Sequence, residues 1–237
     1  MPKTIKKRVP KKSATAEEEV KDKLSGLTET IRKRQRIVAQ YGIIVLVLIA
    51  AAAGFFAYSF YAQKKAKGLQ YEGYKAYYNI SKTTLSKEEQ YKKSLDLFQK
   101  AFDTRKSPLS LFYVAASYYE LGRYDDAVKT LKEFTDRYSS EEQMLPLVYQ
   151  KMAAAYIKKG DMNGAKKALE DIGSLKRDTY KDYALMEHAR LLEKEGKGDE
   201  AKKKYQELAT KYPDSPFAGD AKAKLSGGPE KKEGSTK

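Results

Sequence analysis

His188 is the only imidazole in the 237-residue chain, and there is no cysteine. The chain therefore offers one imidazole and no thiol, a poor kit for catalysis at neutral pH. Thiolate zinc sites, iron–sulfur ligation, cysteine nucleophiles and disulfides are all excluded. His188 follows Leu185 by three residues in an inward-facing helical row, with no Ser-His-Asp order and no second metal ligand around it, so it reads as a core histidine. A phosphate-cradling loop needs a strand before it and a helix after it, whereas the one Gly-Gly pair, Gly227-Gly228, stands in a polar tail. The carboxylate pairs Asp125-Asp126 and Glu141-Glu142 fall at turns or helix starts, where negative charge favours the helix N-terminus. This inventory points to no enzyme, no cofactor and no metal.

The residue that is abundant is tyrosine, 19 copies against no tryptophan. A phenol has an apolar ring and a polar tip, which suits half-wet contact surfaces and membrane interfaces better than a dry core. Lys and Arg total 47 against 32 Asp and Glu, a formal charge of +15, which raises the question of nucleic acid. In the C-terminal three-quarters the basic residues are mixed with acids at three- and four-residue steps, as in Asp178, Lys181 and Asp182. That pattern describes a solvated helical surface, not a phosphate track, so no nucleic-acid partner is expected. With 41% hydrophobic residues the chain is too apolar for a disordered polycation, and its length allows one medium domain plus extras.

A recurring unit organises that domain: Tyr or a large apolar residue, Gly four positions later, and Ala five after that. It occurs as Tyr118, Gly122 and Ala127, as Tyr156, Gly160 and Ala165, and as Leu192, Gly196 and Ala201, with alanine spacings of 38 and 36. A degenerate earlier copy puts Ser94 where the alanine would be, 33 residues before Ala127. These spacings resemble tetratricopeptide repeats, whose period is about 34. Gly ends the first helix of each pair, the small Ala lets the second pack closely, and large residues four and seven further on fill the next groove. The expected fillers are Leu131 and Phe134, Leu169 and Ile172, then Tyr205 and Leu208. Residues 214–225 read as a terminal capping helix starting at Ser215 and Pro216. The fold class is therefore all-α: one N-terminal transmembrane helix, then an α-solenoid of about four helix pairs over 63–225 with a C-terminal cap, and a disordered tail over 226–237.

The membrane segment lies between Arg36 and Lys64, where no residue is charged. About 20 apolar residues cross a ~30 Å hydrocarbon layer as a helix. The span is placed at 41–62, with Tyr41 at one edge and Tyr58, Phe60 and Tyr61 at the other as an aromatic belt. Ala51-Ala52-Ala53 satisfies a signal-peptidase pattern, but the apolar run continues to Tyr61, which favours a retained anchor. Twelve Lys and Arg precede the span, so the 1–40 tail is expected to stay in the cytoplasm and the repeats to lie on the far side, the periplasm of a Gram-negative inner membrane. No proline interrupts residues 61–78, so the same helix is expected to begin the first repeat, with Gly68 and Gly73 as weak points. Within the tail, Val20, Leu24, Leu27, Ile31 and Val38 make an apolar stripe. Two readings stay open for it: a topology-setting tail that touches anionic lipid, or a helix that binds a partner.

A basic tail, one signal-anchor helix running into tetratricopeptide-like repeats, and the closing stretch Lys211-Tyr-Pro-Asp-Ser-Pro-Phe217 together resemble the bacterial inner-membrane tetratricopeptide proteins that serve as ancillary subunit of the SecYEG translocon. The closing stretch is also similar to repeats of the Tol-Pal cell-division coordinator and of an outer-membrane assembly lipoprotein, but this chain lacks the cysteine that lipidation needs. The resemblance implies a scaffold near the translocon exit whose partners are the translocon, periplasmic chaperones or secreted chains. Envelope assembly, division coordination and a cytosol-facing organellar receptor are the alternatives.

The groove such a scaffold would present is lined by the first helix of each pair. In repeat register its inner positions are Phe112, Ala116 and Tyr119, then Gln150, Ala154 and Ile157, then Met186, Arg190 and Glu193. Aromatic and Met side chains there suit adaptable peptide contact. The Lys, Asn and Arg clamp of chaperone-docking receptors is largely missing, since Phe112, Ala116, Tyr113, Lys151 and Arg190 occupy those positions.

Overall fold

The computed structural model describes residues 16–227, and all regular structure among them is helical: α1 (Ala16–Tyr77), α2 (Lys87–Thr104), α3 (Pro108–Glu120), α4 (Tyr124–Arg137), α5 (Leu145–Lys159), α6 (Met162–Gly173), α7 (Lys181–Lys194), α8 (Gly198–Lys211) and α9 (Ala218–Leu225). The chain divides into two compact units, residues 1–60 and 61–237. The most basic part of the N-terminal tail and the final polar residues, on which the lipid contact and the disordered tail were expected, lie largely outside the described residues.

In the first unit α1 runs without interruption from Ala16, through Gly26, Gly42 and Gly54. Its large apolar side chains, from Val20 to Phe56, are exposed, and the helix is long and apolar enough to cross a membrane. Ser25 donates to the Asp22 carbonyl, Thr28 to that of Ser25 and Thr30 to that of Gly26, so these hydroxyls are satisfied within the helix.

In the second unit local chemistry sets the helix ends. Ser86 and Glu89 form a reciprocal capping box at the start of α2, Ser107 caps α3 with Pro108 in its first turn, and the Asp161 carboxylate accepts from the Gly164 amide at α6. Gly122, Gly160 and Gly196 end the first helices of three successive pairs with φ of +73°, +86° and +76°. No Cβ would clash at these turns; the requirement for glycine is the left-handed backbone itself. The repeat alanines Ala127, Ala165 and Ala201 are buried, and so are all six expected groove fillers. Leu131, Phe134, Leu169 and Ile172 belong to a core shared by α3 to α7, while Tyr205 and Leu208 join a second cluster with Met186, Leu192 and Ala221.

Ser94 is fully buried and accepts from the Ser117 hydroxyl at 3.1 Å, which explains how a polar residue takes the alanine place in the first pair. Gly73 is a close approach, not a weak point: a Cβ there would lie 2.9 Å from the Phe98 ring. The capping helix begins at Ala218, later than expected. Ser215 instead accepts from the Phe217 amide and donates to Asp182 at 2.7 Å, tying the Pro-rich turn to the start of α7.

Candidate protein-binding face

Residues 61–77 of α1, with α3, α5 and α7, form the first-helix row of the second unit, and four of the six expected groove residues sit on it half-buried: Phe112, Tyr119, Gln150 and Ile157. Their backbones are held by the repeat cores beneath, against which Phe112, Tyr119 and Ile157 pack. Arg190 is also half-buried, and its Nη1 donates to the Glu187 carboxylate at 2.7 Å, so its charge is already balanced. Met186 is a correction. It is 2% exposed and belongs to one cluster with Ala189, Leu192, Tyr205, Leu208 and Ala221, so it serves the core and not the groove. Glu193, at the same end, receives a hydrogen bond from Lys224 of α9 at 3.2 Å.

The row carries further candidate residues that the register did not include. Extending it three residues toward each helix start adds Leu109, Leu147 and Tyr183, of which Leu109 is exposed and the other two half-buried. Burial, then the Glu187 charge, pushes the Tyr183 hydroxyl up to about 12, against the Gln150 amide and the Arg190 guanidinium that favour the phenolate. The phenol therefore stays protonated and able to donate at neutral pH.

A second set lies at the junction of α1 with α3. Tyr74, Tyr77, Tyr78 and Tyr113 contact one another with ring centroids 4.5 to 6.3 Å apart. Tyr113 also stacks on Phe98 at 4.7 Å and meets Phe112 edge-on at 5.5 Å. The Tyr77 hydroxyl donates to Glu120, Lys151 pairs with the same carboxylate at 3.6 Å, and the Lys151 ammonium lies 4.5 Å above the Tyr119 ring. Burial first, then the Glu120 charge, pushes the Tyr77 hydroxyl up; burial, then the Tyr78 hydroxyl, does the same for Tyr113. Tyrosine abundance was the available signal for this set, but no repeat spacing marks it, because the partners come from α1, α2 and α3.

The face thus offers neutral phenols, aromatic edges and internally paired charges. It can receive an extended polypeptide by stacking and hydrogen bonding, and has no surplus charge with which to select a strongly charged ligand. His188 lies away from it, 9% exposed at the base of a cleft of about 370 Å3 between α6, α7 and α8. Among the described residues no group of three or more His, Asp or Glu side chains is placed to hold a metal ion.

Stacked helix pairs with left-handed glycine turns and buried small alanines define a helical-repeat scaffold, a class built to display surface for other proteins. The chain belongs to the tetratricopeptide repeat-like domain family, whose model matches residues 38–216. Among solved structures it is similar to a thermophilic tetratricopeptide protein of Thermus thermophilus, at 18% identity and a TM-score of 0.46, covering 68% of this chain and 80% of that one. No curated protein matches the chain in sequence.

Proposed function

We propose that the protein is a non-enzymatic scaffold anchored in the bacterial inner membrane by residues 41–62, whose repeats face the periplasm and hold segments of other polypeptides near the translocon. The observation that carries this reading is the row Phe112, Tyr119, Gln150, Ile157 and Tyr183, half-buried on a rigid stack of first helices. Side chains fixed by a core beneath them lose little entropy on binding, and aromatic rings dominate the energetics of protein contacts. The anchor and the basic flank supply the topology. The translocon and the chains emerging from it enter through the resemblance of the anchor-plus-repeat arrangement, and anionic lipid through the basic residues before the span.

Photocrosslinkers at positions 112, 119 and 183 in native membranes, followed by mass spectrometry, test this reading. Translocon subunits, periplasmic chaperones or secretory chains are expected at these positions and not at Lys132 or Lys167 on the exposed faces of second helices. Capture that is equal at both sets, or of cytoplasmic proteins alone, would sink it. Protease added to spheroplasts should digest the repeats before lysis.

A further inference from the structure

We infer that residues 17–38 of α1 pair with a second copy of this chain as a parallel, in-register two-stranded coiled coil, resting on the reading above that the following segment spans the membrane. Val20, Leu24, Leu27, Ile31 and Val38 step by four, three, four and seven residues. That places Leu24, Ile31 and Val38 at the a positions of a heptad and Val20 and Leu27 at d, with Glu17 at a and Arg34 at d the charged residues in the seam. Ile31 and Val38 at a with Leu27 at d match the pattern that favours two parallel strands. All five apolar residues are at least 52% exposed, so the first unit itself provides no cover for them.

The geometry of the helix argues for a second copy over a lipid surface. A basic amphipathic segment lies flat on a bilayer only if the chain bends where the span begins. Here α1 continues unbroken from Ala16 through the apolar segment, with no proline between Pro10 and Pro108. The stripe therefore projects along the axis of the span, by about 33 Å for 22 residues. Two copies inserted with the same topology present their stripes parallel and at the same height, which is the arrangement this heptad needs. At the flanks Lys23 meets Thr28 and Thr30 meets Gln35, so no like charges oppose each other there, while Glu17 and Arg34 each meet their own copy in the seam and weaken the pair. Gly26 falls at c, on the outside of the pair, where a missing side chain leaves no hole.

The absence of native cysteine makes the test direct. Single-cysteine variants of the full-length protein are oxidised in native membranes, at the seam positions Leu24→Cys, Leu27→Cys and Ile31→Cys and at the outer positions Asp22→Cys, Ser25→Cys and Glu29→Cys. Disulfide-linked homodimer is expected to be at least about fivefold more abundant at the seam, because a disulfide needs Cβ atoms about 4 Å apart and outer positions face away from the partner. Adding Leu27→Lys to Leu24→Cys should lose that product, and adding Arg34→Leu should increase it. A flat profile, a maximum at the outer positions, a crosslink to a different protein, or seam cysteines shielded from maleimide without dimer, as lipid burial would give, each overturn the pairing. Alkaline carbonate extraction of the same membranes separates the two readings: release of the protein removes the anchor, whereas retention with a flat profile removes only the coiled coil.

Discussion

Phe112, Gln150 and Met186 occupy the same register position in three successive first helices, 38 and 36 residues apart, yet the first two are half-buried and Met186 is 2% exposed. The difference lies in the element stacked next to each pair. At the C-terminal end α9 closes the stack, with Ala221 fully buried in the same cluster as Met186 and with Phe217 and Leu225 packed against that cluster. The capping helix also pins the end of α7 through Lys224 and Glu193 and its start through Ser215 and Asp182. At the N-terminal end the row stays open, and tyrosines from α1 and α3 line it. The groove is therefore asymmetric: aromatic and accessible toward α1, closed over toward α9.

The largest effect expected is at the repeat alanines, which both ends share. Ala127→Arg or Ala165→Arg must bury a long cation at a site now 0% exposed or force the helices apart, at a cost of several kcal/mol, on the order of the whole stability of a domain. Loss of a cooperative melt by circular dichroism checks this, and an unchanged midpoint would show that the helix pairs do not meet at these residues.

Next come the two ends of the row themselves. Met186→Ala should cost about 2–5 kcal/mol of stability, as truncation of a buried Met does, while leaving the partner set intact once folding is restored by lower temperature. Joint Phe112→Ala, Tyr119→Ala and Tyr183→Ala should do the reverse, losing about 2 kcal/mol or more of binding for each anchor that partners contact. Co-purification beside a thermal melt separates them. If the triple variant keeps every partner, the half-buried part of the row is not the binding face.

A smaller effect belongs to the turns. Gly160→Ala adds a methyl into open space but at a φ of +86°, so the expected loss is about 1–2 kcal/mol from the backbone alone. A denaturant midpoint reads it, and a neutral result would mean the turn relaxes out of the left-handed region.

The smallest is a pH effect at the closed end. Burial, followed by the Lys204 charge, holds the His188 imidazole below its ordinary value, with Lys166 acting the same way and Glu170 and Glu195 opposing. In the window between the depressed folded value and the ordinary one near 6.5, the unfolded chain binds more protons. His188 therefore favours the fold above about pH 6.5, and that contribution is lost as pH falls toward the folded value. His188→Gln should flatten the melting midpoint over that range, and an identical pH profile in the variant would contradict the assignment.

The helices were legible because their determinants are local. Ser86 with Glu89, the three glycine turns and the buried alanines each act within a few residues, and the repeat spacing multiplies the signal. The face was legible only as a row. The 3.6-residue period says which side chains share a side of a helix, and it groups Phe112 with Tyr119 and Gln150 with Ile157, all four half-buried. It stopped one step short of Tyr183, and it could not find Tyr77 on Glu120 or Lys151 over Tyr119, which join residues 43 and 32 positions apart.

The sequence by itself determined the helical repeat, its period, its turns, its small packing residues and the apolar length of the first helix, because propensity, handedness and hydrophobic periodicity are properties of short stretches of chain. Tertiary structure alone decided which members of one row remain at the surface. Exposure depends on the neighbouring elements in space: Met186 is core because it joins the cluster that α7, α8 and α9 build together, and Gly73 is required because Phe98 crosses there. Neither neighbour is within reach of any local pattern.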